Sequence, residues 1–258
     1  MFRWLSRKKQ YDKPLTRSVL LGDASVPEGH VIYAIGDIHG RADLLRATIE
    51  KIHSDLVTID QKKTIVCLGD YIDRGPDSAV VVDILHSASK EDIQSHLIMG
   101  NHEEFLVRFL DDPMEGMPWL TYGGAETLLS YSVGMPLGVL SADKLEKVAD
   151  DLMHKLRERG HLAFYRGLKD AVTIGDYYFT HAGIHPDVSL HKQTGEHLRW
   201  IRAPFLEHTA GYSHVIVHGH TVTDEPVFKP NRIGIDTGAY HSGKLACLRL
   251  EKNRYSIL

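Results

Sequence analysis

Five short apolar segments of this chain each end in a block that combines glycine with aspartate, histidine or asparagine. The first three segments lie at residues 31–35, 64–68 and 96–99, and amphipathic helical patterns separate them. Short, almost wholly apolar runs are typical of strands buried on both faces. Strands that alternate with helices predict parallel pairing and right-handed crossovers. The chain is therefore predicted to have an α/β fold in which several strands end at one edge of a sheet.

The middle of the chain, from about residue 111 to residue 170, has a different pattern. Residues 141–159 place leucine, valine and methionine on one helical face and stop at a glycine. Strand patterns return in the final third, at residues 177–180, 215–217, 233–235 and 245–250. We predict an N-terminal basic tail, frayed over residues 1–28, and one domain at residues 29–258 that contains the middle part as an inserted helical lobe.

Charge and apolar content limit the partners and the location of the protein. Lys and Arg number 30 against 34 Asp and Glu, a net charge of −4 that gives no general attraction for a nucleic-acid backbone. No apolar run approaches the ~18 residues of a membrane span. The basic start of the chain also lacks the apolar stretch of a signal peptide. We therefore expect no nucleic-acid partner, no stable membrane insertion and a cytoplasmic location, and we make no prediction of oligomeric state.

Side chains that bind metals cluster where the predicted strands stop. The residues concerned are Asp37, His39, Asp70, Asp73, Asn101, His102, His181 and His220. In open α/β sheets, ligands bind beyond the carboxyl ends of strands. Glycine in each block lets the backbone turn sharply near a ligand. The sequence therefore predicts one converging site, although each residue taken singly is as well explained by a turn or a buried polar group.

The residue types in these blocks predict the kind of metal and the number of ions. Carboxylates, imidazoles and an amide oxygen form a mixed nitrogen and oxygen set, which suits manganese, iron or zinc and argues against a thiolate site. The set is too large for a single catalytic metal with an open position. It fits two divalent ions that share a carboxylate, ~3.5–4 Å apart, as in hydrolases that act at phosphorus.

The order of the blocks resembles the phosphoprotein phosphatase branch of the metallophosphoesterases. The matching blocks lie at residues 36–40, 69–75, 100–103, 181–183 and 219–221, and the resemblance runs from about Val31 to Leu250. The chain looks most like small bacterial serine/threonine phosphatases and the Rhizobiales-like group, which have a stretch similar to residues 200–202. The resemblance implies a two-sheet β-sandwich flanked by helices, with residues 29–258 as the catalytic domain.

The resemblance also implies a role for each matching residue. Two metal ions, manganese first and iron or zinc as alternatives, are expected to be bound by six residues: Asp37, His39, Asp70, Asn101, His181 and His220. Asp70 is the expected bridge between the ions. The general acid is expected to be His102, oriented by Asp73, and the planar guanidinium groups of Arg74 and Arg202 suit phosphate oxygens.

Some residues near these blocks allow more than one interpretation. Arg199 is close enough to Arg202 to take its role, and Tyr240 belongs either to the substrate contacts or to the core. His218 lies two residues before His220, so strand geometry allows it to face the metals, but we expect it to sit behind them. Cys67 and Cys247 do not fit the loop of cysteine-dependent phosphatases and are predicted to be core residues.

The leading functional hypothesis is a metal-dependent phosphatase that hydrolyses phosphoserine or phosphothreonine in proteins, with phosphotyrosine as a further candidate substrate. Direct attack by hydroxide held between two cations would need no covalent intermediate, and a nearby histidine would protonate the leaving group. One alternative is a dinucleoside polyphosphate hydrolase of the symmetrical diadenosine tetraphosphatase kind. Glu103, in place of aspartate, favours the protein phosphatases slightly. The other alternative is a non-catalytic binding protein on a phosphatase fold.

Overall fold

The computed structural model describes residues 18–56, 61–88, 93–136 and 138–258, which form two five-stranded sheets packed face to face. The strands of the first sheet are β1 (His30–Ile35), β2 (Lys62–Cys67), β3 (Gln94–Leu97), β9 (Cys247–Glu251) and β10 (Arg254–Ile257). Their order across the sheet is β10-β9-β1-β2-β3. β1, β2 and β3 pair in parallel and β9 and β10 run antiparallel, so the predicted strand–helix alternation with parallel pairing is confirmed.

The second sheet comes from the final third of the chain, as the strand patterns predicted. Its strands are β4 (Ala171–Ile174), β5 (Tyr177–Thr180), β6 (Val215–His218), β7 (Val227–Lys229) and β8 (Arg232–Gly234), in the order β4-β5-β6-β8-β7. β5, β6 and β8 are parallel, and β4 and β7 are antiparallel edge strands. The carboxyl ends of three parallel strands in each sheet are therefore available for one site.

Helices cover the outer faces of the sandwich. They are α1 (Ala42–Leu56), α2 (Ser78–Ala88), α3 (Asn101–Asp111), α4 (Gly124–Ser130), α5 (Ala142–Glu158), α6 (His161–Arg166), α7 (Gly195–Trp200) and α8 (Ala239–Ser242). Two 3₁₀-helices lie at Met117–Tyr122 and Leu190–Lys192. The amphipathic helix predicted at residues 141–159 is α5, and its apolar face packs into the same core as α2 and α3. The status of residues 111–170 as an insertion stays a prediction.

The core of the first sheet explains why its strands are apolar along their whole length. In β1, Tyr33 and Ile35 face the helices, whereas Ile32 and Ala34 face the second sheet. Burial on both faces removes the alternation that an exposed sheet would show. The predicted α/β architecture of two sheets flanked by helices is confirmed.

Residues 18–28 are packed, which corrects the prediction of a frayed tail as far as residue 28. The Val19 N–H donates to the Tyr212 carbonyl at 2.8 Å, and the Val26 N–H donates to the Lys252 carbonyl at 2.9 Å. Val19, Leu21 and Val26 are buried in the core between the sheets. Their apolar side chains attach the segment to the sandwich, although no strand pattern marks it. The basic residues at the start of the predicted tail, residues 1–17, lie outside the described residues.

Candidate metal centre

The Asp70 carboxylate lies at the centre of the predicted ligand cluster. Its Oδ2 is 3.5 Å from His39 Nε2, and its Oδ1 is 3.4 Å from His181 Nε2. Two groups of ligand atoms contain this carboxylate, His39–Asp70–His102 and Asp70–His181–His220, each with all its atoms within 4.8 Å of one another. The structure thus forms two candidate cation positions that share Asp70.

Asn101 completes the second group. Its Oδ1 is 2.9 Å from His181 Nε2 and 2.9 Å from His220 Nδ1. Asn101 is the first residue of α3, and His181 and His220 follow β5 and β6 of the second sheet. Elements of both sheets therefore contribute to one cluster.

Asp37 provides a separate indication that a cation belongs here. Its Oδ2 accepts a hydrogen bond from the His220 N–H at 3.0 Å, but its buried Oδ1 has no partner among the described residues. Burial raises the pKa of Asp37 well above its ordinary value, and the Asp236 carboxylate raises it further. A buried, unpaired carboxylate oxygen is costly. A divalent cation beside Asp37 would satisfy it, so the residues present fit the expected metal.

The histidine rings are oriented so that one nitrogen is available for a metal. His39 Nδ1–H donates to the Ile72 carbonyl and His181 Nδ1–H donates to the Leu68 carbonyl, both at 2.9 Å. Each bond fixes the tautomer and leaves Nε2 with its lone pair directed at the cluster. Burial lowers the pKa of His39 to about 3, which keeps the ring neutral and able to bind a metal.

The backbone of the site is held in an unusual conformation. Of the seven described non-glycine residues with positive φ, five are site residues: His39, Asp70, Asp73, Arg74 and His220. Each such residue costs about 1–3 kcal/mol and persists only where surrounding structure enforces it. The glycines of the blocks permit close approach, since a Cβ on Gly100 would collide with Asp70 Oδ1 and a Cβ on Gly219 with Asp37 Oδ1. Glycine is therefore required here because carboxylates lie against the backbone.

Glu103 anchors the loop that carries Asp70. Its carboxylate accepts hydrogen bonds from the backbone N–H groups of Asp70 at 2.9 Å, Tyr71 at 2.8 Å and Gly100 at 3.0 Å. It is fully buried and does not line the substrate cavity. Glutamate at this position therefore holds the Asp70 loop from behind and makes no direct contact with the cavity.

His102 and Asp73 form a hydrogen-bonded pair beside the cluster. His102 Nδ1–H donates to Asp73 Oδ2 at 2.6 Å, and His102 Nε2 lies 3.9 Å from Asp70 Oδ2. Burial acts to lower the pKa of His102, but the Asp70 and Asp73 carboxylates outweigh it and raise the pKa. The ring is therefore suited to carry a proton into the cavity.

Two residues of the middle segment hold Asp73 in place, and sequence reasoning did not find this role. Trp119 Nε1–H donates to Asp73 Oδ2 at 2.8 Å, and Thr127 Oγ1–H donates to Asp73 Oδ1 at 2.6 Å. All three side chains are fully buried. The sequence carries no signal for these contacts, because Trp119 and Thr127 lie 46 and 54 residues from Asp73.

The predicted phosphate-binding arginines both line the cavity, which has a volume of about 290 Å³. Arg74 Nη1 lies 3.1 Å from His39 Nε2, and its Nη2 lies 3.1 Å from His102 Nε2. Arg202 donates to Thr221 Oγ1 at 3.1 Å and is otherwise exposed. Arg199 instead pairs with Glu104 and Asp170 away from the cavity, so of the two candidates Arg202 has the matching position.

Four further residues line the cavity: Phe105, Tyr122, Trp200 and Asp236. Asp236 is buried, and its Oδ1 accepts a hydrogen bond from the Gly238 N–H at 2.9 Å. Tyr240 is not a core residue, because it is 38% exposed and its ring lies 4.8 Å from the Arg74 guanidinium. The sequence analysis had left the role of Tyr240 open, whereas Phe105 carried no signal in the sequence.

His218 and the two cysteines, the other residues considered in the sequence analysis, do not line the cavity. The His218 ring packs edge-on against Phe205, 5.0 Å between centroids, on the outer face of the second sheet. The chain leaves the strand between His218 and His220, so strand periodicity does not bring the two rings together. Burial raises the pKa of Cys67 to about 12 and also raises that of Cys247, so neither is a thiolate.

Comparison with known proteins identifies the family. The sequence profile of the Calcineurin-like phosphoesterases matches residues 30–257. This chain belongs to the calcineurin-like phosphoesterase family. The protein is thus a phosphoesterase hydrolase with a candidate dinuclear metal site. None of its described helices has the length and apolar character needed to span a membrane.

Similar proteins cover nearly the whole phosphoesterase domain. A bis(5'-nucleosyl)-tetraphosphatase PrpE [asymmetrical] from Oceanobacillus iheyensis is 30% identical over 86% of this chain and 89% of its own. A crystal structure provisionally named a diadenosine tetraphosphatase matches with a TM-score of 0.58 at 18% identity, over 91% of this chain and 97% of that chain. A cold-active protein tyrosine phosphatase also has a TM-score of 0.58, at 17% identity, over 91% of this chain and 81% of that chain. The two structures support the shared fold alone.

Proposed function

We propose that this phosphoesterase hydrolyses bis(5'-nucleosyl) tetraphosphates and cleaves them asymmetrically. The observation that carries the proposal is the similarity to a relative named for that activity, which extends over 86% of this chain. The preference for a serine/threonine phosphatase in the sequence analysis rested partly on Glu103, which has no contact with the cavity. The order of the two hypotheses is therefore reversed, and cleavage is proposed to be asymmetrical instead of symmetrical.

The proposed ligands fall into two sets around Asp70. Asp37, His39 and Asp70 would hold one metal ion, while His102, which lies in the same cluster of potential ligands, would keep its Nε2 for proton transfer. The other ion would be held by Asp70 together with Asn101, His181 and His220. Manganese is the proposed metal, since the donor set of imidazole, carboxylate and amide oxygen suits it. When bound, two divalent cations would neutralise phosphate oxygens and make water a better nucleophile at neutral pH.

The side chains around these ligands would bind the phosphate chain and move one proton. Arg74 and Arg202 would donate hydrogen bonds to phosphate oxygens, which the planar guanidinium fork meets two at a time. The oxygen of a water molecule would bond to phosphorus and release a proton to solvent, the bridging P–O bond would break, and its electron pair would leave with the departing phosphate. His102 would give a proton from its Nε2 to the bridging oxygen of the departing phosphate, while Asp73 would stabilise the imidazolium.

Hydrolysis of phosphoserine, phosphothreonine or phosphotyrosine in proteins is a second candidate, and the His102–Asp73 pair favours it. The alkoxide that leaves from phosphoserine or phosphothreonine is a strong base and needs a proton, whereas a nucleotide phosphate leaves readily without one. A histidine whose pKa is raised by a bonded carboxylate suits that proton transfer. A non-catalytic binding role has less support, because all six proposed ligands and both arginines are present and gathered.

A substrate panel with manganese tests the proposal. Diadenosine tetraphosphate, a phosphoserine peptide and a phosphotyrosine peptide would be compared by kcat/KM, and nucleotide products would be separated by anion-exchange chromatography. We expect the dinucleotide to be preferred and to yield a nucleoside triphosphate and a nucleoside monophosphate. Two diphosphates would overturn asymmetry, and a preference for a phosphopeptide would overturn the substrate class. Asp70→Asn protein serves as the control for contaminating phosphatases.

A further inference from the structure

A second groove adjoins the metal-site cavity and is not used by the mechanism above. It has a volume of about 480 Å³, is more open to solvent, and shares Arg74 and Tyr122 with the cavity. Tyr240 and Glu126 also line it. A phosphate held by Arg74 would therefore lie at the junction of the two spaces.

Two exposed tyrosines line the groove. Tyr122 is 56% exposed, and its ring stacks on Phe105 with 5.6 Å between centroids and 8° between planes. Phe105 is braced in turn by the edge of Trp200, at 4.9 Å. Tyr240 is 38% exposed and lies over the Arg74 guanidinium. Aromatic rings that pack on one face against other side chains and expose the opposite face to solvent are typical of binding sites for planar rings.

The groove is held in a fixed relation to the catalytic residues. The Arg74 N–H donates to the Gly123 carbonyl at 3.3 Å. Gly123 has a φ of 110°, and a Cβ there would lie 2.6 Å from Arg74 N and 3.0 Å from Asp73 Cβ. Glycine is needed for this close contact, which fixes Tyr122 relative to Arg74. A group bound in the groove would thus be positioned with respect to the phosphate site.

We propose that this groove binds a nucleoside of the substrate, with the base against the tyrosine rings. The inference rests on the proposed function and specifies its substrate contacts. A nucleobase has a planar face for stacking, and stacking on aromatic side chains tolerates any base. The exposed Glu126 carboxylate is an acceptor for the hydroxyl groups of ribose. The nucleoside itself is uncharged, so it can lie beside this carboxylate without electrostatic repulsion.

The test compares two ligands that differ only in the base. Binding of adenosine 5'-monophosphate and of ribose 5-phosphate to the manganese-loaded protein would be measured by calorimetry. We expect the nucleotide to bind about tenfold more tightly, because stacking contributes at that level. Tyr122→Leu and Tyr240→Leu should reduce this ratio towards one. Tyr255→Leu is the matched control, since Tyr255 is also exposed and stacked on a phenylalanine, Phe228, at 5.2 Å, but lies outside both spaces.

Each outcome supports or overturns the proposal. Equal or undetectable affinity of the wild-type protein for the two ligands, or a preference that survives in both variants, would overturn it. Phosphotyrosine is titrated in the same way as a third ligand. Tighter binding of phosphotyrosine than of the nucleotide, lost in Tyr122→Leu, would assign the groove to protein substrates and overturn the proposal. Failure of the proposed function is distinguishable, because it appears as absence of dinucleotide hydrolysis while the preference for the base remains. Circular dichroism of each variant checks folding.

Discussion

At the scale of single residues, Asp70 connects the two halves of the proposed metal site. It is buried, has a positive φ and contributes an oxygen to each candidate cation group. Asparagine has nearly the same shape and also tolerates positive φ. Replacement by asparagine therefore removes charge with little change in geometry.

We predict that Asp70→Asn lowers kcat by at least ~10²-fold, the scale of losing a main electrostatic contribution. Bound manganese per chain should fall as well, because one carboxylate serves both positions. Elemental analysis and steady-state kinetics measure the two effects. Asp111→Asn, at an exposed aspartate paired with Arg166, is the control. Wild-type kcat and metal content in Asp70→Asn would contradict the assignment.

His102 is the residue proposed to protonate the leaving group. The decrease in activity when His102 is replaced should therefore depend on how basic the leaving group is. We predict that His102→Asn lowers kcat/KM for phenyl phosphate by ~10²-fold or more, the usual contribution of a general acid. The loss for p-nitrophenyl phosphate should be at least ~10-fold smaller, since p-nitrophenolate needs little protonation. Equal losses on both substrates would show that His102 has another role. Asp73→Asn should share the pattern.

At the scale of secondary structure elements, the first turn of α3 serves three separate purposes. Asn101 contacts the histidines of the second sheet, His102 faces Asp73, and Glu103 accepts hydrogen bonds from the Asp70 loop. Successive helical residues point ~100° apart, which allows three neighbours to face three directions. The N-terminal turn of α3 therefore positions a proposed metal ligand, the proposed proton donor and the loop that carries Asp70.

The contact between α6 and α2 gives a stability prediction that depends on pH. His161 is buried at the start of α6, with Nδ1 2.7 Å from the Tyr131 hydroxyl oxygen and Nε2 3.0 Å from Asp83 Oδ1. Burial lowers the pKa of His161 below 6.5, although Asp83 opposes this, and Arg159 and His86 also face the ring. The unfolded chain therefore binds the proton more readily than the folded protein.

The contribution of His161 to stability is accordingly present above a pH of about 6.5 and is lost as the pH falls below that value. We predict that the fall in unfolding free energy between pH 7.5 and pH 5.5 is smaller in His161→Gln than in the wild-type protein. Urea titrations at the two pH values measure it. His154→Gln, at an exposed histidine on α5, is the control. An equal fall in unfolding free energy between the two pH values in His161→Gln and in the wild-type protein would contradict the prediction.

At the scale of the whole molecule, the candidate site joins the two sheets. Asp37 and Asp70 follow strands of the first sheet, and His181 and His220 follow strands of the second. A metal bound by both sets would therefore connect the halves of the sandwich. Binding to the folded state alone stabilises that state.

We predict that manganese raises the melting temperature above that measured in a chelator by roughly 5–10 °C. This corresponds to ~2.7 kcal/mol at a concentration 100 times the dissociation constant. Differential scanning calorimetry measures the shift, and chelation should also suppress phosphatase activity until manganese is added back. The shift should shrink in Asp70→Asn. Identical melting curves with and without metal would contradict a site that links the sheets.

The amino-acid sequence by itself determined the class of fold and the positions of the proposed ligands. Buried strands need apolar residues, and their parallel carboxyl ends bring Asp37, Asp70 and His181 to one place. Glycine was visible beside these residues because the backbone must approach a carboxylate closely, as at Gly100. These requirements involve residues close together in the chain, so they produce recognisable sequence patterns.

Other features were decided only by tertiary structure. Trp119 and Thr127 support Asp73 across about fifty residues, and the stacking of Tyr122 on Phe105 creates the groove. The side-chain pairing of Arg199 with Glu104 and Asp170, away from the cavity, separates it from Arg202. Each depends on packing between distant segments, and many sequences satisfy packing without a recognisable pattern. Features that depend on neighbouring residues can therefore be predicted from the sequence, whereas contacts between remote segments are defined only by the folded structure.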